Sequence, residues 1–316
     1  MILKRSVKRI VLSIFTLCLL LLVYIMPEAN NDIKVNTIIE YVNSELKTHQ
    51  IFMLDDNNYI SQTEIVIKSE DKKELAKELI EYLIVGGKYQ DKIPSGFKAL
   101  INENTKINNV ELLDSTIKID FNESLLDTNK DFEEKTIEAI VYTLTSIDGI
   151  DNVIIYINGN ILTYLPNSKT TLPTTLNRSF GINKEYNINS NKNITKTTIY
   201  YISEFNDNIY YTPITKVSNN NKEKIEIIIE ELSDNSSSNL DSYLNYNTKL
   251  VANELNENSI TVDFNEYILS DLDQEKISEE VLNTICMSIY DNYDIEEIVF
   301  KVNGEEILKN TLKSIE

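Results

Sequence analysis

Tryptophan is absent from this chain, histidine occurs once, cysteine twice, proline five times and glycine seven times. The lone histidine, His49, lies in a polar junction without the cysteine or carboxylate partners that a zinc site or a general base needs, and reads as solvated surface. Cys18 falls in an N-terminal apolar run and Cys286 on the apolar face of an expected helix. The two sit in different phases, which excludes a disulfide framework and leaves no redox-compartment signal. Cys286 reads as a small core hydrophobe. No GxSxG, HExxH or CxxC occurs, nor a glycine-rich loop of the phosphate-cradling kind.

Positive charge is also scarce. Thirty Lys and Arg face fifty Asp and Glu, a formal charge of −20, and Lys4, Arg5, Lys8 and Arg9 crowd the first nine residues, so the remainder carries −24. Such a body repels nucleic-acid phosphates and anionic lipid surfaces, which disfavours DNA, RNA and peripheral membrane binding and suits a basic partner surface. With 42% apolar residues over 316, the chain has material for about two ordinary domains.

What is present is a repeat. Asp120-Phe121-Asn122-Glu123 returns as Asp263-Phe264-Asn265-Glu266, 143 residues later, and Asn158-Gly159 returns as Asn303-Gly304, 145 later. Between these landmarks Ile137, Ile140, Val141 and Leu144 match Leu282, Ile285, Cys286 and Ile289. A period this long is that of two domains and not of a solenoid.

Taken in order, residues 1–29 read as a basic cytoplasmic tail and a transmembrane anchor, whose apolar run 10–26 is interrupted only by Ser13 and Thr16. The rival reading, a cleaved signal peptide, lacks small residues where cleavage would fall: Tyr24, Met26 and Glu28 stand there. Residues 30–49 are a spacer. The first domain, 50–165, begins with a hairpin (51–54 and 60–67), followed by an amphipathic helix over 72–85 that stops at Gly86-Gly87. Strands are expected over 99–112 and 116–121, a helix over 131–147, and a closing hairpin, 153–157 with 160–165, turning on Asn158-Gly159. Residues 166–196 hold two prolines and many Asn, Thr and Ser, with little apolar periodicity, and read as a linker that could still pack through Phe180 or Tyr186. The second domain, 197–316, repeats the order, with helices over 222–232 and 274–292 and strands over 197–202, 209–217, 249–255, 259–264 and 295–302. The fold class is α+β: two tandem β-β-α-β-β-α-β-β modules behind a membrane anchor.

These residues carry a resemblance. A hairpin, a helix ending in glycine, Ile93-Pro94-Ser95-Gly96, the strand end Asp120-Phe121, the helix segment 139–145 and an ending on Asn158-Gly159 resemble the GerMN domain of sporulation and spore germination proteins from Gram-positive bacteria. The second copy keeps the Asp-Phe-Asn and Asn-Gly elements but lacks the Pro-x-Gly turn. The resemblance covers about 50–165 and 197–310. It implies a module like the ring-building α/β motif, and a non-catalytic protein anchored in the mother-cell membrane, with its bulk in the space between mother cell and forespore. Its partners would be proteins of a sporulation channel or ring complex.

Candidate chemistry is thin. Asp120 and Glu123, like Asp263 and Glu266, pair carboxylates after a strand, but duplication of the pattern fits a turn better than a mechanism, with the Asp or Asn accepting backbone amide bonds of the following turn. Tyr200, Tyr201, Tyr210 and Tyr211 read as ordinary sheet residues. No catalytic residue, metal or cofactor is expected. An alternative function is a cell-envelope module binding peptidoglycan or a germinant in a cleft between the copies.

Overall fold

The computed structural model describes residues 47–234, 240–270 and 276–311. The expected anchor lies outside them; among the described residues no helix is long and apolar enough to cross a membrane.

Each copy follows the expected order. The first runs β1 (Thr48–Asp55), β2 (Ile60–Val66), α1 (Lys72–Tyr82), a short β3 (Phe97–Lys98), β4 (Ile107–Leu113), β5 (Thr116–Phe121), α2 (Lys130–Leu144), β6 (Asn152–Ile157) and β7 (Asn160–Ile161). After β8 (Glu185–Asn187), the second copy runs β9 (Thr195–Phe205), β10 (Asn208–Ser218), α3 (Lys224–Ser233), β11 (Leu250–Leu255), β12 (Ser259–Phe264), α4 (Glu279–Asn292), β13 (Glu297–Val302) and β14 (Glu305–Thr311). The helices start where a side chain can cap them. Asp71 accepts the amides of Lys73 and Glu74, Asn129 that of Asp131, and Ser278 that of Val281.

Both copies build a four-stranded sheet, β4-β5-β6-β7 and β11-β12-β13-β14, in which the central pair is parallel because a helix, α2 or α4, crosses over between its strands. Alternation along β5 buries Ile117, Ile119 and Phe121, and along β12 Ile260, Val262 and Phe264, all between 0% and 1% exposed. Asn158-Gly159 and Asn303-Gly304 are two-residue hairpin loops with positive φ at all four positions (48°, 79°, 50°, 88°). A Cβ on Gly159 or Gly304 would meet nothing within 4 Å, so backbone conformation alone demands glycine there.

The remaining strands form one sheet across both copies. Its path is β3-β1-β2-β10-β8, with β9 on the other side of β10. The hairpins β1-β2 and β9-β10 join where Tyr211 pairs with Gln62, antiparallel. Ile60 and Tyr211 are equivalent, since they pair with Leu54 and Ile202 at matching points of their hairpins. Their successors Ser61 and Thr212 are therefore equivalent too, and their hydroxyls meet at 2.7 Å. Equivalent residues meeting across an antiparallel pair give the seam a local two-fold relation.

Three element boundaries move the most. The strand placed over 99–112 begins only at Ile107, because Asn102 accepts the Asn104 amide through its side chain and the Thr105 amide through its carbonyl, turning the chain first. The closing strand is confined to Asn160–Ile161, after which Leu162 and Leu165 bury as irregular chain. The final helix starts at Glu279, capped by Ser278, rather than at 274.

The connection 166–196 also does more than link. Leu172, Leu176 and Ile182 are buried in the first core, and β8 pairs parallel to β10. Asn167 and Ser168 donate their amides to the buried Glu133 carboxylate of α2 (3.0 and 2.6 Å). Irregular spacing hides this packing from any periodicity.

Candidate functional site

The repeated motif is a structural clamp. Asp120 Oδ1 accepts the Gly159 amide and Asp263 Oδ1 the Gly304 amide, each at 3.0 Å. The turn each holds is therefore not the following one but the hairpin 39 residues on in the first copy and 41 in the second, which ties the two sequence landmarks together. Asn122 accepts the Lys106 amide and donates to the Asn104 carbonyl; Asn265 does the same with Lys249 and Asn247. Phe121 and Phe264 are fully buried between these polar neighbours. The partner loops share a pattern that motif reading missed, Asn102-Glu-Asn-Thr-Lys106 against Asn245-Tyr-Asn-Thr-Lys249, again 143 residues apart. Backbone amides thus occupy Asp120 and Asp263, the carboxylates most open to a catalytic reading.

His49 departs from its expected place. It is partly buried on β1, which starts at Thr48, and its Nε2 is enclosed without a partner among the described residues. Burial, then Lys47, lowers its pKa, with Glu78 opposing. Cys286 is buried, and burial pushes its thiol up to about 12, which suits packing and not nucleophilic chemistry. Among the described residues no group of three or more His, Cys, Asp or Glu could hold a metal ion. Tyr200, Tyr201 and Tyr210 are buried sheet residues, as expected.

The most elaborated region is the seam between the copies. Along the shared sheet a hydroxyl chain runs Ser203–Thr212–Ser61 (2.9 and 2.7 Å) and ends on Asp55, where Ser61 donates at 2.8 Å and Tyr210 at 3.3 Å. The Asn57 and Tyr59 amides complete the shell of this fully buried carboxylate (2.9 and 2.8 Å). Burial, then Asp55, pushes the Tyr210 phenol up to about 12.

The connection closes the other side. Asn183, buried and in the left-handed region at φ 46°, accepts the Ile60 amide (2.9 Å) and donates to the Ile60 and Pro213 carbonyls (2.8 Å each). One amide side chain thus supplies the bonds that the brief β2–β10 ladder leaves unmade. Lys184 reaches Glu134 and Glu138 of α2, both at 2.7 Å, with Phe180 beneath it. Burial raises the Glu138 pKa, opposed by Lys184 and the Asn183 amide; burial's downward pull on Lys184 is outweighed by Glu138 and Glu134, so its pKa is raised. Arg178 spans the copies: it pairs with Asp291 of α4 (2.9 Å), donates to Thr145 and Tyr200, and lies over the Phe52 and Tyr142 rings. The Asp291 side chain is 2% exposed, so removing Arg178 alone would leave a buried carboxylate without its cation, at a cost of about 3–5 kcal/mol.

The Pro-x-Gly turn belongs to the same seam. Gly96, at φ 90°, abuts Phe205 of the second copy so closely that a Cβ would sit 2.8 Å from its ring. Phe97 meets Tyr210 edge-on at 4.9 Å. Here the turn is an intercopy contact.

The Germane family, described as "Sporulation and spore germination", matches residues 50–163 and 198–308. The chain belongs to this family. The first match takes in β1 to β7 and the second β9 to β14, so each holds one four-stranded sheet together with its hairpin of the shared sheet. The chain is 33% identical over 269 residues to the spore germination protein GerM of Bacillus subtilis (strain 168), covering 83% of this chain and 73% of that one. Its fold is similar to the solved tandem GerMN domains of the sporulation protein GerM from Bacillus subtilis, with a TM-score of 0.75 and 30% identity over 82% of this chain and 92% of the other. Both sequence and mixed α+β fold thus place this Germane protein with the tandem GerMN proteins of sporulation.

Proposed function

We propose that this protein is a non-catalytic scaffold of sporulation, held at the cell membrane by residues 10–26, with its two copies outside the cytoplasm between mother cell and forespore. There it supports assembly of a ring or channel complex. Family membership supplies the sporulation setting. The observation that carries the scaffold reading is the use made of the duplicated motif: Asp120, Asn122, Asp263 and Asn265 are all committed to backbone hydrogen bonds that stiffen the fold. A rigid body with surfaces to offer is what a scaffold requires.

The alternative, a peptidoglycan or germinant module using a cleft between the copies, meets a seam already filled by Asn183, Ser61, Thr212 and Arg178. Deleting the gene in the host and scoring sporulation tests the proposal: engulfment proceeds, forespore development then arrests, and recovery of the tagged protein brings channel or ring proteins with it. Normal spores, or recovery of wall fragments alone, would discard it.

A further inference from the structure

The two copies differ most usefully at one loop cluster. In the second copy the Asn265 clamp and the Thr248 hydroxyl, which donates to the Tyr267 carbonyl at 3.1 Å, bring the segments 243–248 and 265–267 together. This cluster exposes three tyrosines, Tyr243 (46%), Tyr246 (75%) and Tyr267 (47%). The equivalent residues of the first copy, 143 positions earlier, are Leu100, Glu103 and Ser124. Tyrosine, with a large apolar ring and a polar tip, is enriched at protein interfaces, and its face attracts cations.

Charge differs at the same place. In the first copy Lys98, bridged to Leu54, pairs with Asp56 at 2.5 Å. The matching bridge in the second copy joins Ile202 to Asp241, beside Glu204. A lysine–aspartate pair in one copy is thus replaced by two carboxylates in the other. Glu280 of α4 adds a third: burial, then Glu204, Asp241 and Glu280, raises the Tyr243 pKa, and the Tyr243 amide donates to Asp241 (3.1 Å). Among the described residues no cation lies within ion-pair distance of Glu204, Asp241 or Glu280.

We propose that this tyrosine cluster, rimmed by Glu204, Asp241 and Glu280, docks a basic segment of a partner protein, whose arginine or lysine takes the place that Lys98 fills in the first copy. The inference rests on the scaffold reading and names the chemistry of one partner surface. An arginine side chain stacks on a tyrosine face and neutralises the rim, and the −20 chain favours such an encounter over long range.

The test is titration of the full-length protein, purified in detergent, with a short arginine-rich peptide, against a glutamate-rich peptide and a peptidoglycan oligosaccharide. Without tryptophan, tyrosine fluorescence reports binding directly. The arginine peptide binds, more weakly as salt rises. Asp241→Lys, which rebuilds the first copy's pair, and the triple variant Tyr243→Ala/Tyr246→Ala/Tyr267→Ala each weaken it at least about tenfold, and Tyr164→Ala does not. Unchanged affinity in the variants, binding of the oligosaccharide alone, or self-association that depends on these tyrosines would overturn the proposal. Full restoration of a deletion strain by Asp241→Lys would also overturn it while leaving the scaffold reading intact. Normal sporulation of the deletion strain would instead remove the scaffold reading, whatever the peptide does.

Discussion

Asn183 is the residue whose loss should do most harm for its size. Its side chain makes three hydrogen bonds across the seam, to groups that water does not reach. Each net bond contributes about 1 kcal/mol and each buried group left unpaired costs about 1–3 kcal/mol, so Asn183→Gly, which keeps the left-handed backbone without strain, is expected to lose roughly 3–5 kcal/mol. Asn183→Ala adds about 1–2 kcal/mol for a Cβ at positive φ. Asn183→Asp is the sharper variant, because shape is kept while chemistry is reversed. A carboxylate still accepts from Ile60 but turns an acceptor onto the Ile60 and Pro213 carbonyls, near the Glu138 carboxylate that holds the residue's own amide (2.9 Å). The folded state then raises the new acid above its unfolded value of about 3.9. Its stability is fully present below that value and is lost as pH rises through the folded pKa, so the deficit against wild type is small in acid and largest at neutral pH. Urea titration followed by far-ultraviolet circular dichroism measures it: with a slope of about 3 kcal/mol/M, the midpoint of Asn183→Gly falls by roughly 1–1.7 M at neutral pH. An Asn183→Asp protein within about 1 kcal/mol of wild type at neutral pH, or one whose deficit grows in acid, would refute the reasoning.

Other outcomes follow from the same geometry. Gly96→Ala drives a methyl into Phe205 and strains φ, so it destabilises by about 2–4 kcal/mol in thermal melts; Phe205→Leu recovers the steric share and not the backbone share, as a double-mutant cycle will show. Asp120→Ala and Asp263→Ala each lose about 1–2 kcal/mol by releasing the Gly159 or Gly304 amide, whereas Asn at either position keeps an acceptor and loses less. Equal effects in the two copies are expected, and markedly unequal ones would mean the clamps are not equivalent. In alkali, Tyr210 is raised from 10.0 to about 12, so its contribution through Asp55 is complete below pH 10 and disappears as pH passes 12. Tyrosinate absorbance during alkaline titration should show this late phenol missing in Tyr210→Phe.

Much of the fold was legible because each copy is built from elements with strong local signals. Alternation marked β5 and β12, helical periodicity marked α2 and α4, and Asn-Gly marked hairpins that only positive φ could close. The seam was not legible. It depends on pairing Gln62 with Tyr211 and on Asn183 reaching Ile60, contacts between residues 149 and 123 apart that leave no local trace. Asn, Lys and Arg in the connection look like solvated linker until the strands they bridge are in place. The absence of a Pro-x-Gly turn from the second copy was a visible clue, since only Gly96 has Phe205 to meet. Likewise the Asn-x-Asn-Thr-Lys repeat could have been read, and would have moved the start of β4 to its observed place.

The central claim is that the seam makes the two copies one cooperative body. Differential scanning calorimetry of residues 46–316 tests it most directly. A single transition with equal calorimetric and van't Hoff enthalpies, split into two by Asn183→Gly or Arg178→Ala, is the expected result. Two resolved transitions in the unmodified protein, each the size of one copy and neither moved by those substitutions, would contradict it.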